Sequence, residues 1–451
     1  MQGLMQDWPL TLNRIIEHAA KWHGDREVLS RRPDGPLERT SYAEIEVAAR
    51  RFSSALLSLG IVPGDRVATM AMNSGRHLEC WYGIMGIGAV CHTLNPRLFN
   101  ADLELIVNRA ADSVVIVDRS LAAKLAGVLS ACPSVRHVVL IEGAGPVTND
   151  LHEDIVWHDY DALVAAHPPT ERWGEFPEDT AAGLCFTSGT TSRPKGVLYS
   201  HRSNFLHTLM ALQADMQGLS ARDVILPIVP MFHANAWGLA FSAPAVGAKL
   251  VMPGADLDPA VLAETIELEE VTFTTGVPTI MQGLIDHYRA TRTRPATLKR
   301  VITGGARCPE RMIEEFEDVL GVEVVHAWGM TELSPIGTMN VPRRTPAWQL
   351  PKERNTLKVR QGRPPMGVDL RLVGDDGEPV PHDGQTSGHL CVRGWATVAR
   401  YYGEHDTALD AHGYFDTGDI ATIDREGFMT ITDRAKDLVK SGGEWISSQE
   451  I

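Results

Sequence analysis

The chain has 451 residues, of which 44% are hydrophobic and 22% are charged, a composition typical of a globular protein with more than one subdomain. Its net charge of −15 argues against nucleic acid as a partner and requires local cations wherever an anionic ligand binds. The six cysteines are scattered without CxxC spacing, which favours buried free thiols over disulfides or zinc.

Neither a membrane span nor a secretory leader is expected from the sequence. The longest apolar run, residues 80–91, is interrupted by glycines and is too short to cross a bilayer. The first residues lack the basic, apolar and small-residue pattern of a signal peptide. We therefore expect a cytoplasmic protein without an integral membrane segment.

The first part of the chain alternates predicted helices with predicted strands. Ser41 and Glu44 have the spacing of a capping box, and Asn100 is expected to cap a later helix. Apolar periodicity predicts helices at 12–22, 41–59, 77–89, from 100 and at 120–129, and strands at 67–72, 114–117 and 137–141. This alternation indicates a parallel sheet with helices on its faces, followed by a connecting segment at 144–178.

A second alternation begins at about residue 179, and in it Asp258 followed by Pro259 is typical of a helix start. It predicts strands at 181–186, 197–199, 224–227, 249–252, 272–275, 300–303 and 322–326, with helices from 203, 258, 279 and 309. Short strands and turns then follow. The predicted fold class is α/β, with two helix-flanked, mostly parallel β-sheet subdomains (1–178 and 179–344) and a small distorted β-barrel (345–433).

A loop rich in hydroxyl groups and glycine joins two of the predicted strands. Residues 187–196 have the sequence TSGTTSRPKG, which supplies many hydrogen-bond donors and a cation at Lys195. Such a loop can hold phosphate groups, because glycine lets backbone N–H groups approach the phosphate oxygens closely. It is not the GxxxxGK[ST] loop, because no Ser or Thr follows Lys195 and a strand comes next. A surface turn is the alternative interpretation.

Two stretches combine bulky and polar groups at the ends of predicted strands. Residues 229–237 have the sequence VPMFHANAW, and residues 276–279 have the sequence GVPT. From composition alone, the first could equally be an aromatic-rich strand end or part of a binding pocket. The chemistry of either stretch therefore depends on the motifs around it.

Glycine also follows the strand predicted at 300–303, in the sequence Gly304-Gly305-Ala306. A glycine at the carboxyl end of a parallel strand lets a flat ring lie on the backbone, although a helix-entry turn would look the same. The next such strand is followed by WGMTE at 328–332, which supplies an aromatic face and a carboxylate at Glu332.

Charged residues dominate the last motifs. Residues 414–419 have the sequence YFDTGD, which ends in the carboxylate of Asp419. A hairpin turn would be the default interpretation of TGD alone. Residues 433–438 (DRAKDL) and 440–446 (KSGGEWI) would by themselves be interpreted as a charged linker.

Taken in order, these stretches resemble the motifs of the adenylate-forming superfamily, which contains acyl-CoA synthetases, luciferases and peptide-synthetase adenylation domains. The resemblance covers nearly the whole chain and is greatest to bacterial medium- and long-chain fatty acyl-CoA synthetases and 3-methylmercaptopropionate-CoA ligases. It implies a large N-terminal adenylation domain at 1–433, a hinge at 434–440 pivoting at Lys436, and the start of a small C-terminal domain at 441–451. The chain is therefore expected to be a truncated or incomplete form of such an enzyme.

The resemblance also implies a role for each motif. In the family the loop holds the β- and γ-phosphates of ATP, the aromatic residue stacks on adenine, the glutamate binds Mg²⁺ and the TGD aspartate binds the ribose. The implied catalytic residues are Lys195, His233, Thr331 and Glu332, of which Glu332 is the metal ligand. The implied nucleotide-binding residues are Thr187, Ser188, Gly189, Thr190, Thr191, Lys195, Gly304, Gly305, Ala306, Trp328, Gly329, Met330, Thr331, Asp419, Arg434, Lys440 and Trp445. The implied acyl pocket contains His233, Asn235, Trp237, Val277 and Pro278.

The implied activity is that of an AMP-forming acyl-CoA synthetase with ATP/AMP and Mg²⁺ as cofactors and CoA as co-substrate. A small carboxylic acid is the expected partner, and a homodimer is an expected assembly because dimers are common in the resembling enzymes. A mostly apolar pocket behind Trp237 favours an acid with an uncharged tail. The resemblance ranks a medium-chain fatty acid first and the short thioether acid 3-methylmercaptopropionate second. A carrier-protein acceptor and a non-catalytic nucleotide-binding module both stay open as alternatives.

Overall fold

A computed structural model gives the fold of most of the chain. It describes residues 1, 3–32, 37–143, 154–187, 194–341, 343, 351–434, 439–441 and 444–446, and for 351, 352, 434, 439–441 and 444–446 it describes the backbone alone. Within these residues, no helix combines the length and the apolar character that crossing a bilayer would require.

Helices and strands alternate over most of this length. The helices are α1 (Asn13–Trp22), α2 (Tyr42–Ser58), α3 (Gly75–Gly86), α4 (Asn100–Ala110), α5 (Ala122–Leu129), α6 (Tyr160–Ala166), α7 (His201–Ala211), α8 (Leu239–Val246), α9 (Pro259–Leu268), α10 (Pro278–Thr291), α11 (Glu310–Glu314) and α12 (Pro351–Lys358). The first strands are β1 (Glu27–Arg31), β2 (Leu37–Ser41), β3 (Arg66–Met70), β4 (Val90–Thr93), β5 (Val114–Asp118), β6 (His137–Ile141), β7 (Val156–Asp159), β8 (Ala181–Phe186), β9 (Gly196–Ser200), β10 (Val224–Pro227) and β11 (Lys249–Met252). The later strands are β12 (Phe273–Gly276), β13 (Arg300–Gly304), β14 (Glu323–Gly329), β15 (Ile336–Met339), β16 (Val368–Val373), β17 (Gly388–Gly394), β18 (Phe415–Ile423), β19 (Met429–Arg434), β20 (Val439–Ser441) and β21 (Glu444–Ile446).

The first of two compact units comprises residues 1–208, 220–222 and 230–255. In its described residues, seven strands form a sheet in the order β7-β6-β5-β3-β4-β8-β9, parallel except for the last pair. Strand β1 pairs parallel with β11 and antiparallel with β2. An apolar core between the sheet and α4 and α5 includes Leu103, Val115 and Leu125. The hydroxyl-rich loop therefore leaves this sheet at its β8–β9 edge.

The second unit comprises residues 209–219, 223–229 and 256–451. Its strands β10, β12, β13 and β14 are parallel neighbours in that order, and β15 runs antiparallel to β14. Where the sequence predicted a small barrel, β16 to β19 form an antiparallel sheet of four strands among the described residues. Its apolar core includes Leu372, Leu390 and Met429.

Several predicted local signals are present in the structure. Ser41 and Glu44 form a capping box at the start of α2, with the Ser41 hydroxyl accepting from the Glu44 backbone N–H. Asp258 caps α9 by accepting a 2.8 Å hydrogen bond from the backbone N–H of Ala260, and Pro259 occupies the first helical position. All six cysteines are buried and unbridged, as predicted.

Two local predictions were wrong. Asn100 does not cap α4: Phe99 does, because its extended backbone places its carbonyl to accept from the N–H of Leu103 at 3.1 Å, and Asn100 is already helical. The connecting segment 144–178 contains β7 and α6, which begins where Asp159 accepts from the N–H of Ala162 at 2.7 Å. Strands β8 and β9, which follow the predicted boundary at 178, lie in the sheet of the first unit.

We expect Gly86→Ala to destabilise the protein by about 3 kcal/mol, because helix α3 has no space there for a methyl group. A Cβ at Gly86 would lie 1.7 Å from Nε1 of Trp173. That indole nitrogen donates a 2.9 Å hydrogen bond to Oγ of Ser53, which holds the ring in place. Chemical denaturation would measure the loss in free energy of unfolding.

Gly127→Ala in α5 is the matched control. Among the described residues, the nearest atom to a Cβ at Gly127 is Nδ2 of Asn100 at 3.5 Å. Helix propensity then favours alanine by up to about 1 kcal/mol. Equal free energies of unfolding for the two variants would contradict the packing argument.

A buried carboxyl group in the first unit makes stability depend on pH. Burial raises the pKa of Glu79 from its ordinary value of 4.5 to about 7, and a hydrogen bond from the Tyr160 hydroxyl, 2.6 Å from Oε2, partly opposes this shift. The folded state then binds the proton more tightly than the unfolded state. The contribution of Glu79 to the free energy of unfolding therefore falls as pH rises from about 4.5 to about 7.

We expect Glu79→Gln to remove this fall, because an amide accepts the Tyr160 hydrogen bond without titrating. Between about pH 5 and pH 7 the variant should gain about 2 kcal/mol relative to the parent protein. Urea unfolding at several pH values would measure the difference. If the free energies of unfolding of the variant and the parent protein differ by the same amount at pH 5 and at pH 7, the raised pKa of Glu79 is refuted.

Candidate active site

The base of the hydroxyl-rich loop is closed by backbone pairing. Phe186 is the partner of Gly196 in the β8–β9 register, and the N–H of Thr187 donates a 2.9 Å hydrogen bond to the carbonyl of Lys195. Thr187 and Lys195, two of the predicted phosphate-binding residues, are thereby held side by side. The predicted residues Ser188, Gly189, Thr190 and Thr191 lie outside the described residues.

Helix α4 braces the same base. Arg109 donates a 2.7 Å hydrogen bond from Nη1 to the carbonyl of Pro194, and its guanidinium carbon lies 5.6 Å from the centre of the Phe186 ring. This contact was not predicted, because Arg109 precedes the loop by nearly eighty residues and belongs to no motif. One arginine therefore holds both ends of the predicted phosphate loop.

The predicted acid-pocket motif adopts a left-handed turn. Ala234, Asn235, Ala236 and Trp237 have φ angles of 44°, 58°, 50° and 53°, and Gly238 follows at 81°. Each non-glycine residue in this conformation costs roughly 1–2 kcal/mol, so the surrounding structure must impose the turn. Among the described residues, the buried Nδ2 of Asn235 has no hydrogen-bond partner.

His233 precedes this turn and can remain neutral at physiological pH. Although the residue is exposed, partial desolvation lowers its pKa below the ordinary 6.5, and the charge of Arg97 lowers it further. A neutral imidazole can donate or accept a hydrogen bond without adding charge. Arg97 was not among the predicted site residues.

In the second unit, the ends of two neighbouring strands bring nucleotide and acyl motifs together. Gly304 ends β13 in register with Ala327 of β14. Gly305 follows with φ of +76°, and a Cβ there would lie 3.6 Å from Cγ1 of Val277. Val277 and the buried Pro278 begin α10, so these two predicted pocket residues lie beside the predicted adenine site.

The WGMTE motif leaves β14 through an irregular turn. The pairing of β14 with β15 shifts between Trp328 and Gly329, where a Cβ on Gly329 would lie 2.0 Å from the carbonyl oxygen of Pro335. The N–H of Met330 donates to that same carbonyl at 2.9 Å. Glycine is therefore required here by the close approach of another backbone segment.

The turn places Thr331 and Glu332 in a short buried helix, 331–333. Oε1 of Glu332 accepts a 2.9 Å hydrogen bond from the Tyr401 hydroxyl, and its carbonyl accepts one of 2.8 Å from the N–H of Val398. Tyr401 was not predicted, because nothing in its local sequence connects it with Glu332. The carboxylate predicted to bind metal is thus held by a residue from a different part of the chain.

A buried side-chain hydrogen bond links the WGMTE and TGD motifs. Asp419 of β18 is 2% exposed, and its Oδ2 accepts a 3.0 Å hydrogen bond from Nε1 of Trp328. The backbone N–H of Asp419 donates to Oγ1 of Thr417 at 3.1 Å. The second unit therefore brings together the predicted adenine and ribose residues.

The last predicted residues are described only in part. Arg434 is the backbone partner of Asp419 in the β18–β19 register. Lys440 and Trp445 are partners in the β20–β21 hairpin, and for all three residues the structure describes the backbone alone. Lys436, the predicted hinge, lies outside the described residues.

Comparison with known proteins defines the class of the chain. Residues 16–402 match the family described as AMP-binding enzyme. The chain is 46% identical to the 3-methylmercaptopropionyl-CoA ligase of Ruegeria lacuscaerulensis, over all of this chain and 83% of that protein. It is 45% identical to the medium-chain-fatty-acid–CoA ligase of Ectopseudomonas oleovorans, over all of this chain and 82% of that protein. The chain therefore belongs to the AMP-binding enzyme family.

A solved structure supports the same fold. The anthranilate CoA ligase AuaEII, in complex with anthranoyl-AMP, superposes with a TM-score of 0.86 at 22% identity, over all of this chain and 83% of that one. The family recognised from the motifs and the predicted α/β fold class are thus confirmed. The roles of the individual site residues stay predictions.

We expect Tyr401→Phe to lower the free energy of unfolding by about 2 kcal/mol, because it removes a donor from a buried carboxylate. Tyr402→Phe, one residue along, is the control for loss of a tyrosine hydroxyl. Urea unfolding of both variants would measure the difference. A Tyr401 variant as stable as the Tyr402 variant would show that the contact with Glu332 contributes nothing.

Proposed function

We propose that this chain belongs to an AMP-forming acyl-CoA synthetase. A carboxylate and ATP would form acyl-AMP and pyrophosphate, and CoA would then displace AMP to give the acyl-CoA. The observation that carries this proposal is the buried hydrogen bond between Trp328 and Asp419, which joins two nucleotide motifs separated by 91 positions. The CoA ligases among its relatives support the same reaction class.

We propose a medium-chain fatty acid, or a similarly small apolar acid, as the substrate. The relative from Ectopseudomonas oleovorans is named for such an acid. The second candidate, 3-methylmercaptopropionate, is favoured by the 46% identity to a ligase named for it. Both acids have an uncharged tail, which suits the apolar residues Val277 and Pro278 at the start of α10.

Formation of acyl-AMP requires the acid and ATP to be positioned and the phosphate charge to be stabilised, and it does not require a general base. A carboxylic acid has a pKa of about 4 and is already ionised at neutral pH, so its oxygen can attack the α-phosphorus directly. Lys195 and Thr187 would bind the departing phosphates, and Asp419 would hold the ribose hydroxyls. His233, neutral because its pKa is lowered, would hydrogen-bond the acid carboxylate.

Mg²⁺ is the metal that the site would accept. Glu332 offers a hard carboxylate oxygen, and the Tyr401 hydroxyl holds its orientation. Only one or two protein carboxylates are needed, because phosphate oxygens and water supply the remaining ligands. When bound, the ion would neutralise charge on the triphosphate.

We also propose the domain boundaries predicted above: an adenylation domain at 1–433, a hinge at 434–440 and the start of a C-terminal domain at 441–451. The relatives support further sequence in the complete enzyme, since the chain spans 83% and 82% of two of them. Homodimer formation and a cytoplasmic location are part of the same proposal. The acceptor is CoA, and a carrier-protein phosphopantetheine is the alternative.

The reaction class can be tested by ATP–pyrophosphate exchange with the full-length enzyme. The acid panel should contain saturated acids of about four to twelve carbons and 3-methylmercaptopropionate. We expect the fastest exchange with medium-chain acids, followed by thioester formation when CoA is added. Exchange with none of the acids, despite nucleotide binding, would leave the non-catalytic binder as the better description.

We expect Asp419→Ala to weaken AMP binding by about 1.5–3 kcal/mol, the range for hydrogen bonds to a charged group. Calorimetry with AMP would measure the change. Asp416→Ala is the control for loss of a carboxylate, because Asp416 is exposed and lies in the same strand. If the two variants bind AMP with equal affinity, Asp419 does not bind the ribose.

A further inference from the structure

The Trp328 side chain lies in the core of the second unit rather than on its surface. It is 8% exposed and packs with Leu333, Leu370 and Leu372. Its six-membered ring lies against Gly337, where a Cβ would be 2.4 Å from Cζ3. The packing therefore fixes the orientation of the indole ring.

The polar edge of the indole has a defined partner. Nε1 of Trp328 donates to Oδ2 of Asp419 at 3.0 Å, and Asp419 is 2% exposed. A hydrogen bond to a carboxylate in such a buried place is strong and directional, because water competes poorly for either group. It fixes one oxygen of the carboxylate and thereby the plane in which the other lies.

We propose that Trp328 is a positioning residue for the ribose site: its indole N–H holds Asp419 ready for the ribose diol, a role separate from that of its aromatic ring. The inference rests on the proposed function, since it assumes that Asp419 binds the ribose. It follows from three features, namely the packed ring, the glycine that makes room for it and the N–H directed at the carboxylate.

The test measures the contribution of the indole N–H to nucleotide binding separately from that of the aromatic ring. In the full-length enzyme, Trp328 is replaced site-specifically by 3-benzothienylalanine, which keeps the bicyclic shape but has sulfur in place of N–H. Trp328→Phe is the conventional second variant, and thermal unfolding reports whether each protein folds. Calorimetry with AMP and with 2′,3′-dideoxy-AMP then measures affinity with and without the ribose hydroxyls.

We expect the parent enzyme to bind AMP at least about tenfold more tightly than dideoxy-AMP. The benzothienyl variant should lose about fivefold in affinity for AMP and less than about twofold for dideoxy-AMP. An equal loss for both nucleotides would overturn the inference and favour stacking, while leaving the proposed function in place. If the parent enzyme binds AMP and dideoxy-AMP equally tightly, Asp419 does not bind the ribose hydroxyls, and the inference about Trp328 is refuted as well.

Discussion

A hydrogen bond between Trp328 and Asp419 is the contact that holds the predicted adenine and ribose residues together. It joins the end of a parallel strand in one sheet to a strand of the antiparallel sheet within the second unit. Both partners are buried, so breaking the bond would leave a carboxylate desolvated without its donor, a costly arrangement. The two motifs are therefore held at a fixed separation before any ligand arrives.

The sequence predicted those parts of the fold that are determined by local chemistry. Ser41 with Glu44 and Asp258 with Pro259 begin helices as their side chains and ring geometry require. The same reasoning failed at Asn100, because the carbonyl of Phe99 takes the role expected of the amide side chain. Residues favoured at helix starts thus locate a helix more reliably than its first residue.

Much of the candidate site could not be predicted, because its contacts join distant parts of the chain. Tyr401 meets Glu332 across 69 positions, and Arg109 meets Pro194 across 85. The left-handed turn at 234–238 was missed for another reason: alanine at two of its positions carries no signal for positive φ. Motifs therefore indicated the groups that are predicted to face the ligand, whereas the residues that hold them had no pattern of their own.

The antiparallel strands β8 and β9 that flank the predicted phosphate loop determine how a bound anion would be stabilised. In many nucleotide-binding proteins a helix follows such a loop, and its aligned peptide dipoles attract the phosphate. Here the chain passes from Lys195 into β9 at Gly196, and strand dipoles largely cancel. Without a helix dipole, the predicted loop would rely on its backbone N–H groups and on side-chain cations such as Lys195, in a protein of net charge −15. At exposed positions the attraction of these cations is weakened by dissolved ions. Nucleotide capture by this enzyme should accordingly be more sensitive to ionic strength than capture by a helix-backed loop.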